Sequence, residues 1–214
     1  MFLIQEEREQ ILKEFQERIG VFFTNKHLLN MALTHPTYVF EHRKIQHHHN
    51  QRLEFLGDAV LGMIVAEQLY KTYPNQPEGY LTKLRASLVC ETALANYARK
   101  HKIGSALLLG RGEAISGGRQ RPSILADAYE ALIGAIYLDS GLEKAREFVL
   151  RDIKNFITGE GLWSNRDYKT LLQELVQKHH EENVSYIILD ATGPDHDKRF
   201  VAGVNFRGRL MAQG

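Results

Sequence analysis

The sequence predicts an all-α domain followed by a small α+β domain, and three observations carry that reading. From residue 1 to about residue 157, apolar residues recur at helical spacing and no clear strand alternation occurs. The stretch TGEGLWSNRD, residues 158–167, is small, polar and glycine-bearing and reads as a linker, placed at 158–166. Beyond it the period changes from helical to alternating, giving an α-β-β-β order over residues 167–214.

Within the first domain, Leu28, Leu29, Ala32 and Leu33 mark one helix, and Leu53, Leu56, Val60, Leu61 and Ile64 mark a second. A third runs from near Ser123 to Asp139, with Pro122 before it and Gly141 as its stop, and a fourth covers about 142–157. In the second domain, residues 167–180 read as one amphipathic helix. VSYIILDATG (184–193) is β-rich, RFVAGVNFRG (199–208) alternates, and a further short strand follows.

The bulk numbers exclude several classes. The chain has 214 residues, 43% hydrophobic and 25% charged, as expected of one or two globular domains. No apolar run approaches the ~20 residues that span a bilayer, and the charged start MFLIQEEREQ does not read as a secretory signal, so a cytoplasmic location is the default expectation. A single cysteine, Cys90, cannot form an internal disulfide and reads as a buried helical thiol. The net charge of +1 means that any basic nucleic-acid surface must be local.

The most informative residues are four acids on apolar helices. Glu54 and Asp58, in RLEFLGDAVL (52–61), are four apart, and Asp127 and Glu130, in SILADAYEALIGAIYLD (123–139), are three apart. Each pair therefore shares a helix face, separated by about 40° and about 60°. Their neighbours, among them Leu53, Phe55, Val60, Ala126 and Ala131, belong in a core, where an unpaired carboxylate is costly and four would repel one another. A divalent cation resolves that conflict, and carboxylate oxygens suit magnesium or manganese. One such pair alone reads as a solvated or ion-paired face; two, each inside an apolar helix, favour a metal site. Gly57, between the first two acids, and Gly62 each cost about 1 kcal/mol relative to alanine inside a helix; close approach of another backbone or a ligand explains Gly57.

These residues resemble the ribonuclease III family. NQRLEFLGDAVL (50–61) is similar to its signature motif and SILADAYEALIGAIYLDSG (123–141) to its second acidic motif. NMALTHPTY (30–38), PEGYLTKLRASLV (77–89) and LGRGEAISGGRQRPSIL (109–125) match in order around them, so the resemblance covers most of the chain. It implies an all-α endonuclease that cuts double-stranded RNA as a homodimer and leaves 5′-phosphate and 3′-hydroxyl ends. It implies that Glu54, Asp58, Asp127 and Glu130 are the metal-binding carboxylates, with Asp58 and Glu130 catalytic. Magnesium is the implied ion and manganese its substitute. Glu78 matches a supporting acid and Phe55 a dimer-interface residue. One departure stands out: where the family has glutamate before the arginine of RLEFLGD, this chain has Gln51, which is expected to alter metal affinity or rate. Phosphodiester hydrolysis suits the acids independently, because carboxylate-held ions activate water and stabilise the leaving oxygen. Processing of ribosomal precursors and of some messenger and transfer RNAs is the family's implied work.

The segment GRGEAISGGRQRP (110–122) reads as a glycine-rich loop whose Arg111, Arg119 and Arg121 contact phosphate. The C-terminal segment resembles a double-stranded RNA-binding domain, with His196 in the loop that enters the minor groove. The family pattern continues with a lysine-rich last helix, whereas this chain stops at Gly214; the expectation is an incomplete, truncated domain of poor RNA affinity. His47, His48 and His49 read as a solvated loop, and His35 as the holder of a structural hydrogen bond. No Glu-x-x-His pair and no Walker loop occurs, which removes di-iron and nucleotide-binding readings. The remaining alternative is a non-catalytic double-stranded RNA-binding protein on the same fold, against which the four intact acids argue.

Overall fold

The computed structural model describes residues 6–42, 48–157, 172–173, 176, 183–193 and 198–214. The chain divides into two units, Met1–Gly161 and Leu162–Gly214. Among the described residues of the first unit the regular elements are helical: α1 (Glu6–Ile19), α2 (Lys26–Ala32), α3 (Pro36–Glu41), α4 (Gln51–Thr72), α5 (Glu78–Val89), α6 (Glu91–Lys100), α7 (Ile103–Ala106), α8 (Arg111–Ile115) and α9 (Pro122–Ile157).

The centre of this unit is the packing of α4 against α9. On α4 the buried residues are Leu53, Gly57, Val60, Leu61, Ile64, Val65 and Leu69, a stripe at three- and four-residue spacing. The middle of α9 is buried nearly all round, with Ala128, Tyr129, Ala131, Leu132, Ile133, Ala135 and Ile136 at 0% exposure, because α2 and α6 cover its other sides. The two backbones touch. A methyl group at Gly57 would strike the Glu130 carbonyl, and one at Gly134 the Leu53 carbonyl. The expected close approach at Gly57 is therefore to another helix, whereas Gly62 faces open space.

Gly141, at φ 84°, breaks α9 as expected, leaving helical residues 122–140 and 142–157 on either side. Two other expectations change. Residues 110–122 are not a plain loop: α8 and a 3₁₀ turn, Gly118–Gln120, occupy much of the segment. Cys90 is half-buried in extended backbone between α5 and α6 instead of inside a helix, because one helix must end and the next begin there.

The second unit contains an antiparallel sheet, β1 (Ser185–Thr192), β2 (Arg199–Phe206) and β3 (Arg209–Gln213), in that order. Ser185 pairs with Asn205 and Thr192 with Arg199. Arg207 and Gly208, both at positive φ, form the two-residue turn from β2 to β3, whose twist suits a hairpin. Of the helix expected at 167–180, Leu172, Gln173 and Val176 are described, and they are helical. The linker, His47 and His196 lie outside the described residues.

Candidate metal centre

The contact between α4 and α9 brings three of the four predicted acids together. Glu54 of α4 and Asp127 and Glu130 of α9 each offer a carboxylate oxygen, all within 4.8 Å of one another. They are half-buried, at the flank of the helix seam instead of deep in the core. Asp58, one turn beyond Glu54, is more exposed and stands outside that tight group. It is still close enough to act electrostatically on both Glu54 and Glu130.

Among the described residues, no lysine or arginine forms an ion pair with these four acids. Burial, then repulsion from Asp58, Asp127 and Glu54, pushes the Glu130 carboxyl up to about 8. Burial, Asp127 and Asp58 raise Glu54, while burial and Glu91 raise Asp127. Sequence reasoning did not find Glu91. It is the first residue of α6, where an acid is so common at a helix start that it carries no signal. A cluster of oxygen donors held short of its preferred ionisation fits a hard divalent cation, whose charge favours the ionised forms.

The other predicted residues lie on α4, on α5 and at the start of α3. Gln51, the first residue of α4, places a neutral amide one turn before Glu54. Glu78 begins α5 and accepts a 2.6 Å hydrogen bond from Thr82 Oγ1; it is not part of the carboxylate group. Phe55 is 82% exposed, and Ala59 and Met63, also exposed, continue its stripe along α4. His35 caps α3: its ring accepts from the Thr37 amide and pairs with Thr37 Oγ1 at 2.8 Å. Burial lowers its pKa, which favours the neutral ring that such a cap requires.

The three arginines of residues 110–122 differ. Arg119 Nη1 donates to the carbonyls of Gly104 and Leu107 at 2.9 and 2.8 Å, so part of its guanidinium braces its own chain. Arg121 pairs with Glu113 at 2.6 Å but stays partly exposed. Arg111 is held through its backbone, whose amide donates to Glu41 Oε2 at 2.7 Å, and its side chain is exposed.

Known proteins carry the same pattern. The family description "Ribonuclease-III-like" matches residues 25–157, and "Double-stranded RNA binding motif" matches residues 168–214. The chain is 52% identical to Ribonuclease 3 of Syntrophomonas wolfei, covering 99% of this chain and 89% of that protein. It is also 52% identical to Ribonuclease 3 of Desulforamulus reducens, with 98% and 85% covered. A solved nuclease domain of ribonuclease III from Campylobacter jejuni, described for flexibility in a region involved in its dimer formation, aligns with a TM-score of 0.62. It is 41% identical and covers 68% of this chain and 98% of that one. No helix among the described residues is long and apolar enough to cross a membrane. With acids converging on one seam, a matching nuclease domain and a matching RNA-binding motif, the chain belongs to the ribonuclease III family of metal-dependent endoribonucleases that act on double-stranded RNA.

Proposed function

We propose that Glu54, Asp58, Asp127 and Glu130 hold magnesium, with manganese as a substitute, and hydrolyse phosphodiester bonds of duplex RNA to 5′-phosphate and 3′-hydroxyl ends. The observation that carries this reading is the convergence of α4 and α9 acids within 4.8 Å, with no basic ion-pair partner among the described residues. A divalent ion bound there would activate water near neutral pH and offset charge on the leaving oxygen. Glu54, Asp127 and Glu130 would hold it through carboxylates carried on two touching backbones. Asp58, exposed one turn beyond Glu54, would complete the ligand set and serve with Glu130 in the hydrolysis. Gln51 contributes no charge, so the centre works with one carboxylate fewer than the family pattern.

RNA reaches the centre beside residues 110–122. Arg111 and Arg121, with exposed side chains, are the proposed phosphate contacts, and Arg119 contributes mainly by bracing the segment. Glu78 is a supporting acid, and His196 is a minor-groove contact of the second domain. The nuclease domain spans residues 1–157 and the RNA-binding domain residues 167–214, joined by the linker 158–166. The exposed stripe of Phe55, Ala59 and Met63 is the proposed homodimer face, so that each assembly carries two centres. The proposed cellular work is cytoplasmic processing of ribosomal precursors and some messenger and transfer RNAs.

The test is incubation with a long RNA duplex, with and without magnesium, for the parent chain and Glu130→Gln. Magnesium-dependent cutting by the parent, with binding but no cutting by the variant, is expected. Retention of RNA without cleavage by the parent would instead favour a binding protein on the same fold.

A further inference from the structure

A buried polar cluster lies one residue from the metal centre. Tyr129, wholly buried on α9 between Asp127 and Glu130, donates its hydroxyl to Asp152 Oδ2 at 2.9 Å. The same carboxylate, with a side chain at 0% exposure, meets His101 Nε2 at 2.6 Å and accepts from Lys100 Nζ at 2.8 Å. Asp152 lies beyond the Gly141 break, so one carboxylate ties three places together: the acid-bearing part of α9, the later part of α9 and the end of α6. Rings of Tyr97, Phe148 and His101 surround Tyr129 at 5.5, 5.8 and 6.4 Å.

Phenylalanine would occupy the same space, so the hydroxyl adds direction instead of bulk. The Gly57 and Gly134 contacts set the separation of α4 from α9. That contact excludes large rotations of α9, which would bring a Cβ into the facing backbone, but leaves small rolls to be set by directional contacts. Successive residues are about 100° apart around a helix, so a roll that displaced the Tyr129 hydroxyl would swing Asp127 and Glu130 by the same angle. A directional hydrogen bond to a buried carboxylate opposes that roll.

We propose that Tyr129 is a positioning residue for the metal centre: its hydroxyl, anchored on Asp152, fixes the roll of α9 and thereby the placement of Asp127 and Glu130 against Glu54. The inference rests on the reading of those acids as cation ligands. Second-layer groups that orient metal ligands set the scale of the effect, roughly tenfold in affinity at its lower end.

The experiment measures manganese binding to the metal-free full-length chain by calorimetry, with kcat and KM on duplex RNA over a range of magnesium. Tyr129→Phe is expected to weaken manganese binding roughly tenfold. Its kcat should fall at limiting magnesium and recover at saturation, while KM for RNA stays unchanged. Lys100→Gln removes another partner of Asp152 without touching Tyr129, and should lower the melting temperature but leave manganese affinity intact. The proposal is overturned if Tyr129→Phe binds manganese like the parent. It is also overturned if Lys100→Gln weakens binding equally. Absence of manganese binding by the parent chain would mark a different failure, that of the metal-centre reading itself.

Discussion

Two groups of acids on the same helix receive opposite treatment. Asp152 is wholly buried yet meets three donors, Lys100, His101 and Tyr129. Burial alone would raise its pKa, but the hydrogen bonds outweigh it and hold the carboxyl below its ordinary range. Glu130 is less buried and faces three other acids, and its carboxyl is pushed up to about 8. One acid is satisfied by the fold and the others are left in mutual repulsion. The difference separates an acid that holds the fold from acids that suit the proposed ligand site.

The largest expected break in that contrast is Glu130→Gln. Removing this proposed ligand should lower kcat/KM on duplex RNA roughly a thousandfold, about 4 kcal/mol in transition-state terms. The metal-free variant should be more stable than the metal-free parent, since one repelling charge is gone; chemical denaturation checks this. Asp152→Ala should do the reverse. It leaves buried donors without an acceptor and should cost about 3 kcal/mol of stability, read from the denaturation midpoint. A midpoint equal to the parent's would show that the cluster is dispensable.

The pH dependence sharpens the comparison. Glu130 binds its proton more tightly folded than unfolded. Its contribution to metal-free stability is therefore fully present below its ordinary value of 4.5 and is lost as pH rises through about 8. Asp152 is shifted downward, so its contribution is present above its ordinary value of 3.8 and lost as pH falls through its lower folded value. Metal-free stability should consequently decline from weakly acidic to weakly alkaline pH, and magnesium should restore it. Scans of melting temperature against pH, with and without magnesium, check both signs. Gln51→Glu should give the smallest effect, a few-fold drop in the magnesium concentration for half-maximal cleavage, in line with one added charge near the centre.

Much of the metal centre was legible because its signal is local. Acids at i,i+4 and i,i+3 on apolar helices conflict with burial, and the structure brings three of the four together; glycine at 57 conflicts with helix propensity, and the structure supplies the facing backbone. The depth was misjudged, since helix apolarity reports the average burial of a segment and not which side of it reaches solvent. The Asp152 cluster was not legible. His101 and Tyr129 lie 51 and 23 residues from their acceptor, and no periodicity links them. The three arginines of residues 110–122 look equivalent in sequence, yet Arg119 grips carbonyls at Gly104 and Leu107 that no local pattern announces. Strands β1, β2 and β3 were read correctly because two-residue alternation and a glycine turn are short-range features.

The bare contact of Gly57 and Gly134 with the facing main chain has a consequence for how this enzyme can change. Side-chain packing elsewhere in the bundle can be loosened or tightened one methyl at a time. Here two main chains already rest on each other, so the spacing of the proposed cation site has a floor set by peptide geometry itself. Substitutions throughout the core could then make the protein sturdier or frailer while leaving ionic selectivity nearly untouched. A change of preferred metal would have to come from the acids themselves or from whatever sets the helix's rotation.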